Sequence, residues 1–131
     1  MQHDEFIGKV QALTRLPDRG TSERATRAVL STLAERLPSG LVGHVAAQLP
    51  PTLAAPMRQT TSGERFDLTT FAGRIAGRAE TDEDAAVREA AAVLEVLDAA
   101  LTPELTEKLV AALPRDIGTL LPAGRAADDT D

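Results

Sequence analysis

The chain has no cysteine, tryptophan or tyrosine, and its 131 residues include only three phenylalanines, Phe6, Phe66 and Phe71. Without thiols there are no disulfides, thiolate nucleophiles or thiolate metal sites, and the redox compartment is left open. The scarcity of rings means that the core must be built from Leu, Val, Ile and Ala, and that few side chains are available to stack on nucleic-acid bases. No apolar run approaches the ~20 residues of a membrane span. The start, Met1-Gln2-His3-Asp4-Glu5, has neither the basic residues nor the apolar stretch of a secretory signal. A soluble, cytoplasmic protein is expected.

What is present favours helix. Apolar residues make up 43% and charged residues 26%, too apolar for a disordered chain. There are 23 alanines, and Ala and Leu are strong helix formers, whereas β-branched and aromatic residues are scarce. Arginine outnumbers lysine twelve to two, which with the alanine load points to a GC-rich bacterial genome. The formal charge of −6 is uneven, with residues 1–65 carrying +2 and residues 66–131 carrying −8.

The chain also resembles itself. At an offset of 64, residues 22–57 lie over 86–121 with ten identities in 36 positions, among them Arg24/Arg88, Leu33/Leu97, Leu37/Leu101 and Pro50/Pro114. An offset of 65 aligns the preceding segment, pairing Phe6/Phe71, Gly8/Gly73 and Lys9/Arg74. The register slips by one residue in a connection, where an indel costs least.

Each unit reads as three helices. The first carries Phe6, Val10 and Leu13 on one face, matched by Phe71, Ile75 and Ala79. The second starts near Thr21 and presents Val29, Leu33 and Leu37; its counterpart starts at Thr81, a candidate cap, and presents Val93, Leu97 and Leu101. The third starts at Ser39-Gly40 in one copy. In the other, Thr102 is the cap, Pro103 takes the first helical position and Glu104 follows. Both end at a Leu-Pro pair, with short turns expected at Thr52–Met57, weakened by Pro56, and at Asp116–Leu121. Gly8 and Gly73 fall inside first helices, and their recurrence predicts close approach of another helix. The expected fold is an all-α bundle of two tandem three-helix repeats with pseudo-twofold symmetry. Residues 1–122 form its single domain: repeat 1 over 3–57, a linker over 58–67 and repeat 2 over 68–121, with 123–131 as a flexible acidic tail.

Chemistry-bearing constellations are missing. His3, near an end expected to be mobile, and His44 are isolated, with no His-x-x-x-His or Glu-x-x-His spacing to bind a metal. No serine lies in a Gly-x-Ser-x-Gly setting, and no Gly-x-Gly occurs to cradle phosphate. The carboxylates of Glu80, Asp82, Glu83 and Asp84 lack the spacing and turn glycine of a calcium loop, and fit a helix start, where the dipole favours them. No catalytic residue, metal or cofactor is expected. Arg24 and Arg27, one turn apart, and Arg88, the repeat partner of Arg24, are the candidate partner-binding residues.

The Phe-Ile-Gly-Lys-Val opening (residues 6–10), the helix from Glu23 to Leu37 and the Ala-Ala-Gln-Leu-Pro ending of residues 46–50 resemble a bacterial family, domain of unknown function 2267. The resemblance covers residues 3–121, although the second repeat departs from it at Glu89-Ala90 and Ala112-Leu113-Pro114. It implies a two-repeat helical bundle and brings no catalytic residues. The expected function is a small non-enzymatic interaction or adaptor protein that binds another protein or itself, with no membrane and no small-molecule ligand. The alternative is a nucleic-acid-associated regulator using the arginines of residues 15–36.

Overall fold

Aspartate caps and proline breaks set the limits of the helices. In the computed structural model, which describes residues 1–129, the chain is all-helical. Its order is α1 (His3–Thr14), α2 (Arg19–Arg36), α3 (Ser39–Ala47), α4 (Pro51–Arg58), α5 (Leu68–Ala79), α6 (Glu83–Ala100), α7 (Pro103–Ala112), α8 (Arg115–Gly118) and α9 (Pro122–Asp129). No helix among the described residues is long and apolar enough to cross a membrane.

The two 18-residue helices start on aspartates. The Asp18 carboxylate accepts from the Thr21 amide at 2.8 Å and the Asp82 carboxylate accepts from the Ala85 amide at 2.8 Å, satisfying amides that have no intrahelical partner. The cap of α6 is therefore Asp82, not Thr81, and α2 begins two residues before Thr21. The α7 start forms as its sequence predicts, with Thr102 capping the Leu105 amide and Pro103 in the first turn. Pro56 does not stop α4, which runs through it to Arg58.

Helices α2 and α6 form the centre. They touch each other; α1 also packs on both, and so does α5. Helix α4 lies on α2, α3 joins α4 to α7, and α9 rests on α6, α7 and α8. The core is aliphatic, with Leu30, Leu33, Leu37, Leu94, Leu97 and Leu109 fully buried around Phe6 and Phe71. Ser22, Thr26 and Thr32 are buried too, and each hydroxyl donates to a carbonyl four residues back, at 3.1, 2.8 and 2.7 Å. This leaves none of them orphaned in the core.

Several details differ from the sequence reading. On α1 the buried face is Phe6, Ile7 and Val10, and Leu13 is 52% exposed. A Cβ built on Gly8 would meet nothing within 4 Å, and one on Gly73 would meet only the Glu83 carboxylate at 3.5 Å. No helix therefore crosses closely at either glycine. Close approach occurs instead at Gly124, where a Cβ would run into the Gly118 carbonyl. The tail expected over 123–131 is helical from Pro122 to Asp129, its Ala123 amide donating to the Asp98 carboxylate at 3.0 Å; Thr130 and Asp131 lie outside the described residues.

The segment expected as a linker over 58–67 has no helix between α4 and α5 but is held in place. The amides of Gly63 and Glu64 donate to the carbonyls of Leu37 and Glu35 at 2.8 and 2.9 Å. The Arg36 Nε donates to the Phe66 carbonyl at 2.9 Å. These bonds bring Glu64 and Phe66 to the C-terminal end of α2.

Candidate functional site

Helices α2 and α5 meet along a groove of about 430 Å³ lined by Gly20, Glu23, Arg24, Arg27, Ala28, Ser31 and Arg78. At the C-terminal end of α2, Glu35 is clamped by two arginines from α5. Arg78 makes a two-pronged contact, Nη1 to Oε1 at 2.7 Å and Nη2 to Oε2 at 3.0 Å, and also donates to the Thr32 hydroxyl at 2.8 Å. Arg74 reaches Glu35 at 3.2 Å and Glu64 at 2.7 Å, while its guanidinium lies 4.4 Å from the centre of the Phe66 ring. The Glu35 carboxyl is held below its ordinary range, chiefly by the hydrogen bonds from Arg78 and with help from Arg74, against the opposing effect of burial. Arg74 is correspondingly pushed up, first by Glu64 and then by Glu35.

The other end of the groove is looser. Arg24 donates to the Glu80 carboxylate at 2.6 Å. Glu80 closes α5 in the left-handed region at φ 57. Arg27 approaches the Glu23 carboxylate only at 3.9 Å. Glu23 is already engaged through its other oxygen by the His3 ring at 2.9 Å, and this contact is the main cause that lowers the Glu23 carboxyl. The Arg27 side chain is half exposed, and it makes no hydrogen bond among the described residues.

Of the three arginines singled out from sequence, the structure brings Arg24 and Arg27 into one groove. Arg88 is exposed on α6 and does not line it. The partners missed by sequence reasoning are Arg74, Arg78 and Glu35. The four-residue spacing of Arg74 and Arg78 marks one face of α5, but nothing local indicates that Glu35, 43 residues before Arg78, faces them.

His3 and two carboxylates of the acidic run are tied into the scaffold. His3, expected near a mobile end, opens α1 and is held by Thr52 at 2.6 Å and Glu23 at 2.9 Å. In the acidic run, Asp82 caps α6 and Glu80 pairs with Arg24. Among the described residues no three His, Asp or Glu side chains converge as metal ligands. Glu89 on α6 differs from these in being buried. One of its carboxylate oxygens has no hydrogen-bond partner, and burial pushes its carboxyl up, with Arg88 opposing and Asp82 reinforcing.

Fold and site together define a small helical bundle whose most developed polar feature is an arginine-lined groove between two helices. The chain belongs to the family of uncharacterized conserved proteins called domain of unknown function 2267, which it matches over residues 3–120. No curated protein matches it.

Proposed function

We propose that the chain is a tandem duplication serving as a non-enzymatic interaction protein, and that the α2–α5 groove grips an acidic segment of a protein partner. The duplication is supported by the helix limits. An offset of 65 carries His3–Thr14 onto Leu68–Ala79, and an offset of 64 carries Arg19–Arg36 onto Glu83–Ala100. The same offsets relate the caps Asp18 and Asp82, and the two left-handed residues Arg15 and Glu80. The packing of α1 on α6 and of α5 on α2 exchanges under the same relation, as a pseudo-twofold axis between α2 and α6 requires. In this reading the protein works in the cytoplasm of a bacterium, which its arginine-rich, lysine-poor composition favours.

The observation that carries the partner reading is Arg27. Its guanidinium stands in the groove beside Arg24 and Arg78 with only a 3.9 Å contact to a carboxylate that His3 already holds. A guanidinium accepts a carboxylate in a two-pronged geometry, so an incoming Asp or Glu side chain gains a pairing that the free protein does not supply. Fluorescence anisotropy with a labelled glutamate-rich helical peptide tests this. Binding is expected to weaken with salt and to fall about tenfold in Arg27→Glu. Equal binding by wild type and Arg27→Glu sinks the reading.

A nucleic-acid role has less support. Within residues 15–36, Arg19 is paired with Asp4, Arg24 with Glu80 and Arg36 with the Phe66 carbonyl, leaving no continuous strip of free cations for phosphates. Gel-shift assays across salt concentrations distinguish the two, because phosphate contacts give a steep log–log dependence on salt.

A further inference from the structure

The groove between α1 and α6 occupies, under the duplication, the place of the Glu35 clamp beside the arginine groove, sharing with that groove only the positions of Ser31 and Arg78, and its chemistry is inverted. It encloses about 290 Å³ and is lined by Lys9, Ala12 and Leu13 from α1 and by Glu95, Val96 and Ala99 from α6. At the same offsets these residues correspond to Arg74, Gly77 and Arg78 on α5 and to Ser31, Thr32 and Glu35 on α2. Where Arg78, Arg74 and Glu35 close the seam between α5 and α2, Leu13, Val96 and Ala99 leave the equivalent place between α1 and α6 apolar. Lys9 reaches only Glu5 of its own helix, at 3.3 Å, and Glu95 makes no hydrogen bond or ion pair among the described residues. Leu13 is the one large apolar side chain exposed among the described residues, at 52%.

We propose that this groove is a self-association face, occupied by the α1–α6 face of a second copy of the chain. A twofold contact requires a patch that contains its own complement, because each residue on one side meets its opposite number from the other side. This patch does so: one wall brings a cation, Lys9, the other brings an anion, Glu95, and the ground between them is apolar. With the twofold axis running along the groove, α1 of each copy lies against α6 of the other. Leu13 then covers the apolar floor of the opposite groove, and Lys9 of each copy faces Glu95 of its mate. The two pairs are equivalent, and each gives a cation and an anion across the groove, which offsets locally the −8 of residues 66–131. One leucine per copy marks a contact at the small end of the range, so the dimer belongs to the weak, reversible class below ~1,200 Å².

This goes beyond capture of an acidic segment at Arg27, and because the two grooves use different helix pairs, either can fail alone. Sedimentation equilibrium on the full chain over a wide concentration range is the test. The average mass of wild type is expected to climb from monomer towards dimer, and that of Leu13→Glu to stay monomeric. Lys9→Glu and Glu95→Lys are each expected to weaken association about tenfold, with the double variant recovering most of it because the pair is restored in reverse. Circular dichroism melts serve as the folding control; Leu13 is outside the core, so Leu13→Glu should melt close to wild type. A wild type that stays monomeric at millimolar concentration overturns the proposal, and the groove then awaits a different apolar partner. A dimer that survives Leu13→Glu, or a double variant no better than its parents, overturns it equally. Loss of Arg27-dependent peptide binding with the dimer intact would instead count against the acidic-segment reading alone.

Discussion

Replacing Glu89 should make the protein more stable, and by an amount that depends on pH. Glu89 is 6% exposed, one of its carboxylate oxygens has no partner, and Ala25, at the corresponding place on α2, is buried and apolar. Leaving a buried polar group unsatisfied costs about 1–3 kcal/mol, and replacement of buried charge by an apolar group of similar volume is often stabilising. Glu89→Met, which keeps an unbranched side chain of similar length, is therefore expected to gain about 1–2 kcal/mol at pH 7.5, a rise of roughly 4–8 °C in Tm for a domain of this size. The sign of the pH dependence follows from the raised carboxyl. Above its folded pKa both states are charged and the burial penalty is complete. As pH falls through the folded value and then through the unfolded value near 4.5, the folded protein takes up the proton first and the penalty fades. The advantage of Glu89→Met should accordingly be largest at neutral pH and shrink towards pH 4.5. Urea unfolding of both proteins between pH 4.5 and 8 measures it. A variant less stable than wild type at pH 7.5, or a gap that does not narrow on acidification, refutes the assignment of Glu89 as an uncompensated buried carboxylate.

Leu33→Ala and Leu97→Ala, which empty fully buried sites on α2 and α6, should each cost about 2–5 kcal/mol in urea melts, and a loss below about 1 kcal/mol would argue against the central pairing. The two glycine substitutions should have opposite effects: Gly8→Ala has open space within α1 and should raise stability by up to ~1 kcal/mol. Gly124→Ala would press on the Gly118 carbonyl and should release α9, seen as faster amide exchange at Arg125, whose amide donates to the Leu121 carbonyl at 3.0 Å. Glu35 gives acid sensitivity. Its lowered carboxyl contributes stability that is complete above the unfolded value near 4.5 and is lost as pH falls through the folded value. Glu35→Gln should flatten the fall of Tm below pH 4.5, and an unchanged acid limb would count against the clamp.

The helices were legible where a local signal is decisive and illegible where a distant contact chooses between local options. Thr102-Pro103-Glu104 specifies the start of α7 by itself, since the cap, the missing proline N–H and the dipole all agree. Thr81 and Asp82 are both competent caps, and the choice of Asp82 moves the α6 start by one residue. On α1, Phe6, Val10 and Leu13 fit a helical stripe as well as Phe6, Ile7 and Val10 do. The position of α6 decides which edge is covered, and the composition of α1 carries no record of it. Helix α9 contains a glycine and an acidic end that read locally as tail, yet Asp98, 25 residues earlier, supplies its amide cap, and Gly124 has the shape that docking on α8 requires. In the groove, Arg24 and Arg27 could be paired because one helical turn separates them, whereas the Glu35 clamp is a long-range contact between two helices.

The proposed duplication would give these failures a common cause. The two halves share what each needs for the core: the leucines of α2 and α6, the aspartate caps and the left-handed turn after α1 and α5. Their grooves are not needed twice for folding, so they are free to diverge. One has arginines that close on Glu35 at one end and leave Arg27 with only a 3.9 Å contact at the other, while the other has Leu13, Val96 and Ala99 at the places of Arg78, Thr32 and Glu35. Installing the clamp in the second groove separates folding from function. The triple change Lys9→Arg, Leu13→Arg and Ala99→Glu should preserve the melt, because all three positions lie outside the buried core, and should abolish self-association by filling the groove from within. A triple variant that still dimerises would place the dimer contact elsewhere on the molecule.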